Sequence, residues 1–194
     1  MDITRTKVII INGTPRVGKD TFVNAISEYY DVDESVNVFN ISSVDPIKQM
    51  LISFGWDGTK TDKVRNIIAG IKQIWCGAQN GTTMFLMNNI MNIHANQQGE
   101  DNVIFCHIRE PEEIDKLCKM LDGFSIVGID VTTLLITAET PFTSDETAIS
   151  TAQADSFNSI NNYTYDTVIR NDGTEQAFKS KAVDYITNLL VGKE

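Results

Sequence analysis

The sequence predicts a three-layer α/β/α sandwich with a mainly parallel sheet. A β-branched run, Val8 to Ile11, opens into a glycine-bounded loop and then a helical pattern. Apolar strand-like runs then alternate with amphipathic stretches to the end of the chain, the order that builds right-handed crossovers and a parallel sheet. At 194 residues the chain is long enough for one domain, 1–194, with helices on both faces of a central sheet.

The first strand ends at Asn12, and Gly13-Thr14-Pro15-Arg16-Val17-Gly18-Lys19-Asp20-Thr21 follows. The pattern is G-x-x-x-x-G-K-D-T, one residue away from the phosphate-binding loop (P-loop) form in which Ser or Thr follows the lysine. Gly13 and Gly18 let the backbone turn its N–H groups toward a polyphosphate, and the helix start behind them adds partial positive charge. Lys19 is the mobile cation for the β and γ phosphates, with Arg16 a weaker candidate on the same side. Asp20 offers a carboxylate to Mg²⁺, directly or through water, and Thr21 a hydroxyl to the α or β phosphate. The next helix is expected to bury Phe22, Ala25, Ile26, Tyr29 and Tyr30.

Ser35 to Ser43 reads as the second strand, and Asp45 before Pro46 starts a helix to about Phe54. Gly55-Trp56-Asp57-Gly58 breaks it. From Asp62 to about Cys76, Val64, Ile67, Ile68, Ile71, Ile74 and Trp75 keep helical spacing, which places Arg65 and Lys72 on one polar stripe. A solvated face with a pair such as Asp62 and Arg65 is the alternative. Gly77 to Gly81 closes that helix, and a methionine-rich one extends to about Ala95, its Met face expected in the core.

Asn102 to His107 is a compact strand that turns through Arg109 into a helix with Ile114, Leu117, Cys118 and Leu121 on one face. His107 and Arg109 thus stand near a strand's carboxyl end, where open α/β sheets bind ligands. A salt bridge from Arg109 to Glu112 or Glu113 is the competing role. A buried strand is expected from Val131 to Thr137. Ala138 to Asn162 is polar and weakly periodic, a candidate lid. Asp166 to Arg170 forms the last strand, and Asn171-Asp172-Gly173 leads into a helix carrying Phe178, Ala182, Tyr185, Ile186 and Leu189.

With 16 basic against 26 acidic residues the formal charge is −10, which argues against a nucleic-acid or anionic-membrane surface. An anionic substrate must therefore meet locally gathered cations. Cys76, Cys106 and Cys118 are odd in number without metal-ligand spacing, and read as reduced core thiols. The apolar run ending at Asn12 is too short for a signal peptide, and no segment reaches membrane-spanning length, so the expected location is cytoplasmic. No strand ends in the Asp-Glu of a typical hydrolytic ATPase, and no Asn-Lys-x-Asp guanine-reading motif occurs. A small kinase therefore outranks a motor or a switch GTPase.

Four separated segments carry a resemblance: Gly13 to Thr21, Ser43-Val44-Asp45-Pro46-Ile47-Lys48, His107-Ile108-Arg109-Glu110-Pro111-Glu112-Glu113, and Val168-Ile169-Arg170-Asn171-Asp172-Gly173-Thr174. In these, and in Gly55 to Gly58 with Arg65, the chain resembles the P-loop nucleoside monophosphate kinases, most closely the phage-type deoxynucleoside monophosphate kinases and related bacterial and phage proteins. The resemblance spans nearly the whole chain. It implies the P-loop NTPase fold and transfer of the ATP γ-phosphoryl group, with Mg²⁺ bridging the phosphates, to a nucleoside or deoxynucleoside monophosphate. It also implies acceptor-side or clamping roles for Lys48, Arg65 and Arg109, the last catalytic together with Lys19. Asp45 is then a candidate sugar or base contact, with helix capping as the alternative.

Two departures stand out. Many relatives place Asp where this chain has His107, which at its reference pKa is neutral at pH 7. Where the bacterial branch has lid arginines this chain has Leu134-Leu135-Ile136-Thr137-Ala138-Glu139, and 138–162 contains neither Lys nor Arg. Two further readings follow: a nucleotide-binding sensor or assembly protein with weak or no transfer, and a kinase for a non-nucleotide phosphorylated metabolite. The acceptor base, the sugar and the oligomeric state, a homodimer among the options, stay open.

Overall fold

The computed structural model describes residues 5–33, 35–59, 61–79, 81–97, 101–124, 126–138 and 163–191. The elements run β1 (Thr6–Asn12), α1 (Lys19–Asp33), β2 (Val36–Ser42), α2 (Asp45–Ser53), α3 (Asp62–Gln79), α4 (Gly81–Asn96), β3 (Asp101–His107), α5 (Pro111–Gly123), β4 (Ile129–Ala138), β5 (Thr167–Asn171) and α6 (Glu175–Val191). The sheet has five strands in the order β2-β3-β1-β4-β5, and every pairing is parallel.

Strand β1 lies at the centre because its residues are apolar on both faces, the pattern of a strand covered from two sides. Ile9 and Ile11 pack with Phe22, Ile26, Phe178 and Ile186 of α1 and α6. Val8 and Ile10 pack with Leu86, Ile90, Ile114 and Leu117 of α4 and α5 on the opposite face. Each such side chain contributes roughly 1.5–3 kcal/mol by leaving water, which fixes the register of the central strand. Because all strands run the same way, Asn12, Ser42, His107, Ala138 and Asn171 end at one edge of the sheet. After β2 the chain fills β3 on one side of β1 and then passes to β4 on the other, so the switch point of the sheet lies at the carboxyl end of β1.

The three-layer expectation holds, with local corrections. Tyr29 is 47% exposed, while Val23 turns inward in its stead. Strand β4 begins at Ile129, since its parallel ladder with β1 already starts at the Thr6 and Ile129 pair. Gly77 does not stop α3, which continues to Gln79. The expected polar stripe of α3 is also wrong for Lys72, which is 7% exposed. Ile67 and Ile74 face outward at 48% and 76%, so the inner face runs through Val64, Ile68, Ile71, Lys72, Trp75 and Cys76. All three cysteines are free. The candidate lid falls, beyond Ala138, outside the described residues. No helix among the described residues is long and apolar enough to cross a membrane.

Candidate functional site

The site is built where β1 runs out of apolar residues. Asn12 is fully buried, and a buried amide must find partners. Its Oδ1 accepts the Gly13 N–H at 2.7 Å, and its Nδ2 donates to the Arg109 carbonyl at 3.0 Å and to the Tyr165 hydroxyl at 2.7 Å. Gly13 has φ 147° and Gly18 φ 96°. A Cβ on Gly13 would lie 2.5 Å from the Ile136 carbonyl oxygen, and one on Gly18 2.9 Å from Asn171 Nδ2 and from the Phe178 ring. Only glycine fits either position. Arg16, exposed at the tip, takes a left-handed φ of 66°, unusual for a residue with a side chain. Asn171 Nδ2 donates to the Val17 carbonyl at 3.0 Å and so fixes the loop from the end of β5.

Lys19 opens α1, and its Nζ folds back onto the carbonyls of Gly13 at 2.6 Å and Thr14 at 2.9 Å. Its pKa is lowered to about 8, chiefly by burial and then by the Arg109 charge, with Asp20 opposing. It therefore stays mostly protonated at pH 7. Asp20 is exposed and Thr21 half-buried on the first turn of α1.

Beside the loop, Arg109 follows the end of β3, the strand paired with β1, and is exposed. Its carbonyl is held by Asn12, while its guanidinium has no ion pair among the described residues. The alternative bridge to Glu112 or Glu113 is not formed: the Glu113 carboxylate accepts Lys116 Nζ at 2.8 Å and the hydroxyls of Thr82 at 3.1 Å and Thr83 at 2.5 Å. Burial alone would raise the Glu113 pKa; these hydrogen bonds outweigh it and lower it. The His107 Nε2 is buried without a partner. Its pKa is pushed down to about 4, first by burial, with Asp20 and Asp45 opposing and Lys19 and Lys48 reinforcing. The imidazole is neutral at pH 7, as its reference value already suggested.

In the β2–α2 turn, Asp45 Oδ2 accepts the Ser42 N–H at 2.7 Å and Oδ1 accepts Lys48 Nζ at 2.8 Å. Val44, not Asp45, occupies the N-cap of α2. Arg65 pairs with Asp62 at 3.5 Å on the exposed start of α3, the solvated alternative of the sequence reading. The structure thus brings Lys19, Asp20, His107, Arg109, Asp45 and Lys48 within electrostatic reach of one another through Lys19 and His107. Among the described residues no hydrogen bond or ion pair joins Arg65 to that group. Asn12, Asn171, Lys72 and Glu110 have structural parts in the site that motif reading did not assign to them, Lys72 having been placed on the polar stripe of α3. An asparagine at the end of an otherwise apolar strand was the available signal for the first.

A tunicamycin resistance protein from Deinococcus radiodurans has the same fold at a TM-score of 0.52 and 13% identity, with 93% of this chain and 96% of that chain covered. Looser likenesses reach the APS kinase of Mycobacterium tuberculosis at TM-score 0.46 and 12% identity, covering 95% of this chain and 99% of that chain. A gluconokinase from Sinorhizobium meliloti follows at TM-score 0.44 and 12% identity, covering 97% and 95%. No family model and no curated protein matches the chain. Parallel strand order, loop geometry and the first of these likenesses together define a P-loop NTPase fold.

Proposed function

We propose that the protein is an ATP- and Mg²⁺-dependent kinase whose acceptor is a nucleoside or deoxynucleoside monophosphate. The observation that carries this reading is the pairing of Lys19 and Arg109. The two cations follow the ends of adjacent strands; burial first and then the Arg109 charge lower the proton affinity of Lys19, with Asp20 opposing, and neither cation is in an ion pair with a carboxylate among the described residues. Like charges held together cost free energy unless an anion joins them. Polyphosphate chemistry supplies that anion.

In this reading the N–H groups of Gly13 to Thr21 cradle the nucleotide phosphates, and Lys19 leaves the Gly13 and Thr14 carbonyls to meet the β and γ phosphates. Arg109 faces the transferring group or the acceptor phosphate, while Lys48 and Arg65 are acceptor-side cations and Asp45, the first residue of α2, pairs with Lys48 and holds the end of β2. An acceptor phosphate oxygen forms the new P–O bond as the bond to ADP breaks, and positioning with charge neutralisation is the main demand. Among the described residues no cluster of three or more His, Cys, Asp or Glu could hold a metal alone. Asp20 and Thr21 suit a Mg²⁺ that arrives with the nucleotide, since that ion commonly takes one or two protein oxygens plus phosphates. When bound, it would neutralise charge on the phosphates.

The choice of acceptor rests on the four-segment resemblance. A coupled screen of ribo- and deoxynucleoside monophosphates with ATP and Mg²⁺, run beside Lys19→Ala, tests it. Turnover of one acceptor that falls about 100-fold or more in the variant supports the proposal. ATP binding without turnover across the panel would instead favour a sensor or a non-nucleotide acceptor.

A further inference from the structure

Lysine is rarely buried without a partner, and α3 turns Lys72 inward. Its Nζ donates to Glu110 Oε2. Glu110 is the residue after Arg109 and the N-cap of α5, a position where Ser, Thr, Asp or Asn ordinarily bonds the helix's first N–H groups. Here the Glu110 side chain makes no capping bond. Its carboxylate reaches instead to a helix distant in sequence, while its backbone carbonyl accepts the N–H groups of Glu113 at 3.0 Å and Ile114 at 3.1 Å.

The neighbouring bonds show what this link holds. The His107 carbonyl accepts the Ser43 N–H at 3.2 Å, and the Arg109 carbonyl accepts Asn12 Nδ2 at 3.0 Å. Residues 107–110 are thereby fastened to the β2–α2 turn, the phosphate loop and α3, with the Arg109 side chain left clear of all three attachments. Helix α3 turns Ile67 and Ile74 to solvent, and a further side-chain link to the rest of the fold joins Cys76 Sγ and Thr82 Oγ1 at 2.9 Å.

We propose that Lys72 and Glu110 form a positioning clasp that sets Arg109 and ties it to the helix bearing Arg65. This deepens the kinase reading and rests on it. The clasp makes acceptor engagement depend on an ion pair that touches no substrate. A displacement of about 1 Å in a positioned group can cost about a hundredfold in rate, so a clasp of this kind is functionally large even where its stability effect is small.

The test is a double-mutant cycle on the full chain with Glu110→Gln, Lys72→Met and both together, beside Lys72→Arg. Expected is a fall of about tenfold or more in kcat/KM for the acceptor in each single variant. ATP affinity by calorimetry should be unchanged, the double variant no worse than the poorer single, and Lys72→Arg close to wild type. Unchanged acceptor kinetics, equal loss of ATP affinity, or additive losses would overturn the proposal. Glu110 is half-exposed, so Glu110→Gln carries the test if Lys72→Met fails to fold. If wild-type protein phosphorylates nothing, the kinase reading fails separately, and amide exchange still decides the clasp. Faster exchange at 107–110 and along α3 in Glu110→Gln sustains it, and unchanged exchange overturns it.

Discussion

Around the phosphate loop, Val8 to Ile11, Val17, Phe22, Val23 and Ile26 are all at or below 2% exposure. Across β3, the end of α2 and the length of α3 leave Ile52, Phe54, Ile67 and Ile74 between 48% and 80% exposed. The loop is held by packing and by backbone angles only glycine adopts easily. The α2–α3 region is held by ion pairs: Asp45 with Lys48, Asp62 with Arg65, and Lys72 with Glu110. Packing penalises any displacement steeply, whereas the exposed Asp62–Arg65 pair exchanges with water at little cost, and the buried Lys72 relies on its Glu110 partner. The two regions are thus held by different means, which in the proposed kinase reading would suit a fixed nucleotide and an acceptor that must enter and leave.

The comparison breaks most sharply at Gly13. In Gly13→Ala the new methyl meets the Ile136 carbonyl at 2.5 Å and the Val17 side chain at 2.9 Å, on a backbone with φ 147°. The expected loss is roughly 3 kcal/mol of unfolding free energy, read by urea denaturation, together with loss of ATP binding. A variant as stable as wild type would show that the loop is no more rigid than α3.

How much of this was legible beforehand follows the same division. The phosphate loop was readable because its requirements are local: two glycines at fixed spacing, a lysine, a strand before and a helix after. The faces of β1, α1 and α5 were readable from periodicity. Lys72 was misplaced because periodicity assumes that the most apolar face is the buried one. That fails for a helix packed at the margin, where a carboxylate from a distant loop makes burial of a cation affordable. Asn12 and Asn171 escaped because their role lies in reaching carbonyls of Arg109 and Val17, pairings that only the fold creates. The choice of Arg109 as a site residue stands beside an observed guanidinium without an ion pair among the described residues, while the choice of Arg65 stands beside its local bridge to Asp62.

His107 sits between the two regions and sharpens the contrast through pH. Its folded pKa, about 4, lies below the usual 6.5 because burial disfavours the charged ring. Below about pH 6.5 the unfolded chain takes up a proton that the folded protein refuses. The stability is therefore present above that pH and is lost as pH falls toward 4. Between pH 7 and pH 5 the loss from this residue is about 2 kcal/mol, and His107→Gln should remove that part of the slope in urea titrations at the two pH values. An unchanged slope would mean that the ring is solvated and belongs with the exposed side.

The smallest stability effect is expected at Arg65, and that makes it the sharpest functional probe. Among the described residues its ion-pair partner is Asp62, 90% exposed at 3.5 Å, and such pairs contribute little to folding. Arg65→Ala should change unfolding free energy by less than about 0.5 kcal/mol. If α3 closes over an acceptor phosphate, the same variant raises the acceptor KM by about tenfold or more, the scale of one charge-assisted hydrogen bond, and leaves ATP binding intact. A change in stability without a change in acceptor KM would make Arg65 part of the scaffold, and the acceptor's phosphate would then depend on Arg109 and Lys48, cations already anchored to the sheet edge. Because folding and acceptor binding are predicted to separate at this residue, measuring both on one variant distinguishes a helix that moves to bind from one that merely frays.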